Sequence, residues 1–260
     1  MLTRRPLALS NWKMGMTIAE SVAFLEAFQE AAYDLLSRVE VVLCPPFTAL
    51  HAVAGALRDD RIGLGAQNMA PSIGLARTGE VSAELLADVG CRWVMLGHWE
   101  VRRHLGDDDV SVNRKVHDAL QAGLVPILLI GEARDEEAPA DMAMERQLAR
   151  VLHGCEAEQI STMALVYEPE GAIGEAAPAS PERVAAGCRL IRGWVRGRWG
   201  DDTAGQVRII YGGSVTPRHA ADLLVLPDVD GLGASRRGRD PDAFTQIVRQ
   251  IARFKSLSPR

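Results

Sequence analysis

Cysteine is scarce in this 260-residue chain, and its four examples, Cys44, Cys91, Cys155 and Cys188, stand too far apart to form a C-x-x-C pair. That spacing excludes a zinc ribbon or a dithiol redox motif and predicts free, buried thiols in a reducing compartment. Aromatic residues amount to only 5%, and positive charge is not in excess: the net charge is −5, with Lys and Arg scattered along the chain. Without a basic stripe interleaved with aromatics, nucleic acid is excluded as a partner. Long apolar runs are also missing. The longest, Leu124 to Ile130, falls far short of the ~20 residues that a membrane span requires. The basic start, Met1 to Pro6, leads into an apolar stretch that Ser10, Asn11 and Lys13 interrupt at once, so no signal peptide is expected and the protein reads as cytoplasmic. No composition break, repeat or low-complexity tract divides the chain, and residues 1–260 read as a single domain.

What is present is a recurrence. Short runs rich in Val, Leu and Ile appear at Leu7–Ser10, Val39–Cys44, Ile62–Gly65, Trp93–Leu96, Val125–Ile130, Ala164–Tyr167, Val207–Tyr211 and around Val229–Ala234. Between them lie segments with helical spacing, including Phe24, Phe28, Leu35 and Leu36 on one face, Val184, Cys188, Ile191 and Val195 on another, and Phe244, Ile247, Val248 and Ile251 on the last. Runs that do not alternate with polar residues are strands covered on both faces, as parallel sheets demand. Eight strand-then-helix units in about 250 residues match an α/β protein of the (β/α)8 barrel type, with a doubly wound open sheet as the alternative. The stretch from Ala66 to Glu80 has neither period and reads as an interaction loop. Asp135 to Asp141 reads as a solvated, charged turn.

In a barrel the carboxyl ends of the strands converge, and four polar residues stand at or just past such ends: Asn11, Lys13, His98 and Glu168. An amide, an ammonium, an imidazole and a carboxylate in one mouth can move protons beside a carbonyl. Pro169 disfavours the helical region for the residue before it, which holds Glu168 extended. His98 precedes a segment with helical character, and an imidazole at a helix N-terminus is disfavoured as a cation, leaving a neutral donor for a carbonyl oxygen. Its H-x-E spacing with Glu100 lacks a C-x-x-C partner, so no metal site is expected. Lys13 can hold phosphate and a developing enediolate, with Asn11 as a neutral donor at the same oxygen. After the seventh run, Gly212 and Gly213 allow close approach of an anion, and Ser214 offers an amide and a hydroxyl. The small residues from Gly171 to Pro178 form a segment suited to a lid.

The blocks Asn11-Trp12-Lys13-Met14, Gly65-Ala66-Gln67-Asn68, Thr78-Gly79-Glu80-Val81-Ser82, Gly97-His98-x-Glu100, Ile130-Gly131-Glu132, Tyr167-Glu168-Pro169, Ala172-Ile173-Gly174 and Tyr211-Gly212-Gly213-Ser214-Val215 follow one another as they do in triosephosphate isomerases, which the chain resembles from end to end. The resemblance implies that Glu168 is the base, that His98 polarises the carbonyl, that Lys13 and Asn11 stabilise the enediolate and that Glu100 supports them. It implies phosphate held by the amides of Gly174 and Ser214 beneath a closed lid, and a homodimer in which Thr78 reaches the partner's site. A small phosphorylated sugar is the implied substrate, glycolysis and gluconeogenesis the implied setting, and no metal or organic cofactor is called for.

The chain departs from that pattern in places. Trp99 replaces a serine, Val101 replaces an arginine, and the lid opens Pro169-Glu170-Gly171 in place of Pro-Val-Trp, adding acid beside an anion site. Near the last strand, Asp230 to Gly238 reads DGLGASRRG where the family has DGxLVGGAS. One alignment deletes three residues; the other runs ungapped, placing Gly233 where an apolar residue presses on the base and Arg236 at a phosphate-binding glycine. The ungapped form is preferred, since a barrel strand cannot easily lose three residues and close. Arg236 then becomes a bidentate phosphate donor. Arg236 together with Pro178-Ala179 is also similar to the erythrulose-phosphate isomerase branch. A four-carbon substrate, or a sugar-phosphate-binding protein without turnover, are therefore the alternatives to a triose isomerase.

Overall fold

The computed structural model describes residues 4–72, 74 and 76–255. Eight strands close into a parallel barrel in chain order: β1 (Leu7–Asn11), β2 (Glu40–Cys44), β3 (Ile62–Ala66), β4 (Trp93–Leu96), β5 (Val125–Ile130), β6 (Ala164–Tyr167), β7 (Arg208–Gly212) and β8 (Gly231–Ala234). The expected strands are all found within two residues of their predicted limits, and the open-sheet alternative is overturned by closure: β8 pairs with β7 and also with β1, from Leu7↔Gly231 to Ser10↔Ala234. On the β7 side the pairing covers Leu232 and Gly233 only. Gly231 allows that closure, because a Cβ there would lie 1.8 Å from the Leu7 carbonyl oxygen.

Side chains of two parities fill two cores. Leu7, Leu9, Trp93, Met95, Ile127, Leu129, Val166 and Ile210 point into the barrel, whereas Ala8, Val94, Leu128, Leu165 and Ile209 point out against the helices. The outward layer meets Val184, Cys188, Ile191 and Val195 of the helix Pro181–Gln206 and Phe244, Ile247, Val248 and Ile251 of the helix Pro241–Lys255, as their spacing predicted. The first predicted face is shorter than expected. Phe24 and Phe28 lie on the helix Ile18–Ala32, but Leu35 and Leu36 follow it in and beyond a 3-10 turn, with Leu36 still buried. All four cysteines are free and buried. Among the described residues no helix is long and apolar enough to cross a membrane.

Candidate active site

Strand parity aims two of the polar residues. Leu7 and Leu9 face inward, so Asn11 does too; Ala164 and Val166 face inward, so Glu168 follows them into the mouth. His98 lies one residue off that parity and depends on Gly97, whose φ of 82° turns the chain between β4 and the helix Trp99–Leu105. A Cβ on Gly97 would also stand 3.2 Å from the Leu129 carbonyl oxygen. Lys13 has a φ of 51°, a left-handed conformation that costs about 1–3 kcal/mol for a residue with a side chain. Two contacts hold it there: its amide donates to Asn11 Oδ1 at 2.9 Å, and its carbonyl accepts from Gln67 Nε2 at 2.9 Å. Gln67 also donates to the Cys44 carbonyl, tying the end of β2 to the same brace.

The four residues line one cavity of about 430 Å³, together with Gly174, Gly212, Gly213, Ser214 and Gly233. Across it Glu168 Oε2 lies 3.3 Å from His98 Nε2. The Glu168 side chain is 12% exposed, but Oε2 is shut off from solvent and makes no hydrogen bond among the described residues. Leaving a buried carboxylate oxygen unsatisfied is costly, and a bound group supplies the missing partner. Burial pushes the Glu168 pKa up, against the opposing pull of His98 and Lys13.

The histidine's state follows from its hydrogen bond. His98 caps its helix, and Nδ1 accepts from the Glu100 amide at 3.0 Å, so that nitrogen carries no proton. In this arrangement the ring is neutral, with its single N–H at Nε2 on the side of the cavity. Lys13 Nζ donates to Glu100 Oε1 at 2.5 Å. Burial works to raise the Glu100 pKa, and the bond from Lys13 with the influence of His98 more than offsets it, so the carboxyl titrates below its ordinary range.

The lid sits over this cavity, and Ile173 and Gly174 contribute to its wall. Ser214 Oγ donates to the Ala172 carbonyl at 3.0 Å, and the Ala179 amide donates to Tyr211 Oη at 2.8 Å, so both ends of the segment are tied to the β7 side of the mouth. The Ser214 hydroxyl is thus engaged by this segment. Glu170 also differs from expectation. Its carboxylate turns away from the cavity to Arg103, at 2.9 and 2.8 Å, and to the Arg134 amide at 2.7 Å. Arg103 reaches Asp135 as well, which draws the turn expected to be merely solvated into the lid's anchorage. On the other flank Arg183 Nη2 donates to Glu132 Oε1 at 2.5 Å, and Tyr167 Oη donates to the same carboxylate. Arg103 and Arg183 carried no sequence signal beyond charge.

Arg236 does not line the cavity that holds Glu168. It is exposed beside it, with Nη2 3.4 Å from the Gly174 carbonyl. Thr78 is exposed in a turn of the loop after β3. Gly233 shares the cavity lining with Glu168, and a Cβ there would be in ordinary van der Waals contact, 3.5 Å from Gly212 Cα and 3.7 Å from Leu9 Cδ2. No group of three His, Cys, Asp or Glu side chains gathers to hold a metal ion among the described residues.

Residues 6–251 match the family model described as triosephosphate isomerase. A protein of that name from Symbiobacterium thermophilum is 44% identical over 257 residues, covering 97% of this chain and 99% of the relative. Proteins named triosephosphate isomerase from Herpetosiphon aurantiacus and Chloroflexus aurantiacus are 40% and 38% identical, covering 95% and 94% of this chain and 99% and 98% of their own lengths.

Proposed function

Because the chain belongs to the triosephosphate isomerase family and is an isomerase that interconverts dihydroxyacetone phosphate and glyceraldehyde 3-phosphate, we propose the following roles for its cavity. Glu168 removes a proton from one carbon of the substrate and returns it to the neighbouring one. His98, neutral and donating from Nε2, polarises the carbonyl and passes a proton between the two oxygens of the enediolate. Lys13 and the amide group of Asn11, whose Oδ1 is already engaged, stabilise the negative charge; one such donor is worth about 3 kcal/mol in a transition state. Glu100 positions Lys13 and fixes the tautomer of His98 through its backbone. The backbone of Gly174, Gly212, Gly213 and Ser214 surrounds the phosphate, and closure of residues 172–174 keeps water from the intermediate.

One observation carries this reading: Glu168 Oε2 is buried, without a hydrogen-bond partner, and faces a neutral imidazole across a cavity open to a small ligand. His98 Nε2 stands 3.3 Å from that oxygen without completing a hydrogen bond, and a substrate bound in the cavity beside the pair supplies the missing partner. The relatives give the four-carbon and the non-catalytic readings no support over the triose. Purified protein assayed with dihydroxyacetone phosphate and, separately, with erythrulose phosphates tests all three. Turnover of the triose is expected; folded protein that turns over neither compound removes the catalytic roles assigned above.

The active form is a homodimer in the cytoplasm, with Thr78 completing the partner's mouth. Met14, directly beside Lys13, is wholly exposed (101%), and a second subunit seated over this loop would cover it. The domain is a single unit over residues 1–260.

A further inference from the structure

A second cavity of about 740 Å³ adjoins the first and shares Lys13, Gly174, Ser214 and Ser235 with it. Its far wall is formed by Arg236, Arg237 and Arg239, in and just before the 3-10 turn Arg237–Arg239 that follows β8. None of these three guanidinium groups makes an ion pair among the described residues, and the only polar contact is that of Arg236 with the Gly174 carbonyl. Glu175 is the one carboxylate in the lining, and it leans 3.6 Å from Arg134. Lys13 already has its counter-ion in Glu100. Three like charges within four residues repel one another, and nothing in the fold relieves them.

A Cβ on Gly15 would lie 2.3 Å from Arg239 Nη1, so glycine at that position lets the guanidinium rest on the loop that carries Lys13. A planar fork held against a loop is suited to bidentate recognition of phosphate or carboxylate. The one phosphate of a triose is proposed to lie beneath Gly174 and Ser214, which both cavities share, and Arg237 and Arg239 stand beyond it on the wall of the second cavity alone.

We propose that the arginine-walled cavity is a second anion subsite, and that the two cavities together bind small phosphorylated molecules carrying a second anionic group, as bisphosphorylated sugars do. Such a ligand sets its first phosphate beneath Gly174 and Ser214 and its second between Arg237 and Arg239. It occupies Lys13 and the lid, so it competes with the substrate. This inference rests on the first cavity being a sugar-phosphate site.

Calorimetric titration compares n-propyl phosphate with 1,3-propanediol bisphosphate, which differ only in the second phosphate, at fixed ionic strength. The bisphosphate is expected to bind at least tenfold more tightly. In the Arg237→Ser/Arg239→Ser protein that advantage falls below threefold while n-propyl phosphate binds as before. The matched loss of two exposed charges elsewhere, Arg189→Ser/Arg198→Ser, keeps the advantage. If n-propyl phosphate binds and the bisphosphate gains less than tenfold, or if the advantage survives in the first double variant, the subsite is refuted and the sugar-phosphate reading stands. If neither compound binds the native protein, both readings fall. Should the double variant fail to fold, Arg237→Ser alone must lower the advantage at least threefold, or the proposal is overturned.

Discussion

Arg103 and Glu170 face each other through two parallel hydrogen bonds, Nε to Oε1 at 2.9 Å and Nη2 to Oε2 at 2.8 Å. Glu170 stands two residues after Glu168, the proposed base, and at the start of the proposed lid. Arg103 stands on the helix that His98 caps. The pair therefore links the lid's hinge to the element that positions the imidazole, and the hydrogen bonds from Arg103 hold the Glu170 carboxyl below its ordinary pKa.

Breaking this link is expected to loosen the hinge without unfolding the protein, because the pair is partly solvated and such pairs contribute little to stability. For Arg103→Ala we expect kcat/KM to fall about tenfold, with little change in melting temperature. Poorer closure also lets the enediolate expel its phosphate, so more inorganic phosphate is released per turnover. The exchange Arg103→Glu with Glu170→Arg restores part of the activity. A variant with normal kcat/KM and no added phosphate release shows that the pair is only decoration on the surface.

Glu168 carries a prediction about pH and stability together. Its pKa is raised in the folded protein, so over the interval between its unfolded and folded values the native state binds more protons than the unfolded one. Stability from this group is fullest below the ordinary carboxylate range and is lost as pH rises through the raised value. Glu168→Gln should thus melt at a higher temperature than the native protein at pH 8, with the gap narrowing at pH 4.5. The same variant loses turnover by about 10²–10⁴-fold, the usual worth of a general base. Equal melting temperatures at pH 8 argue that the carboxylate is not destabilised by burial.

Gly131 follows β5, and a Cβ at that position would come within 2.3 Å of the Glu168 carbonyl oxygen and 2.6 Å of its carbonyl carbon. Those are backbone atoms, which cannot swing aside as a side chain does. Gly131→Ala should displace the base and lower kcat far more than it alters KM, by about a hundredfold if the shift approaches 1 Å. Steady-state kinetics with retained circular dichroism checks this, and an unchanged kcat shows that the strand end yields elsewhere.

Thr78 bears on assembly. Light scattering of the native protein at micromolar concentration should report two chains, and Thr78→Arg should shift the equilibrium toward one chain with a parallel loss of kcat. A native monomer with full activity removes the trans contribution.

The barrel was legible because its strands are covered on both faces, and eight uninterrupted apolar runs left few other architectures. Asn11 and Glu168 were legible for a similar reason: strand parity carries them inward once the barrel is assumed. The hinge was not. Glu170 looked like an acid added to an anion site, because sequence shows charge but not the direction in which a side chain turns; its partner Arg103 is 67 residues away. Gln67 stood in a recognisable block, yet its task became visible only when the left-handed Lys13 needed a donor for its carbonyl. The bond from the Ser214 hydroxyl to the Ala172 carbonyl was not legible because residues 171–178 have no periodicity to reveal their path.

Closure of the barrel through Leu7↔Gly231 joins positions 224 residues apart. As the chain emerges from a ribosome, β1 must wait for one of its two neighbours until those 224 further residues have been made. Asn11 and Lys13, set at the end of that strand, are therefore made long before they are fixed in place. Nascent chains halted before β8 should display Asn11 and Lys13 without the wall that holds them together.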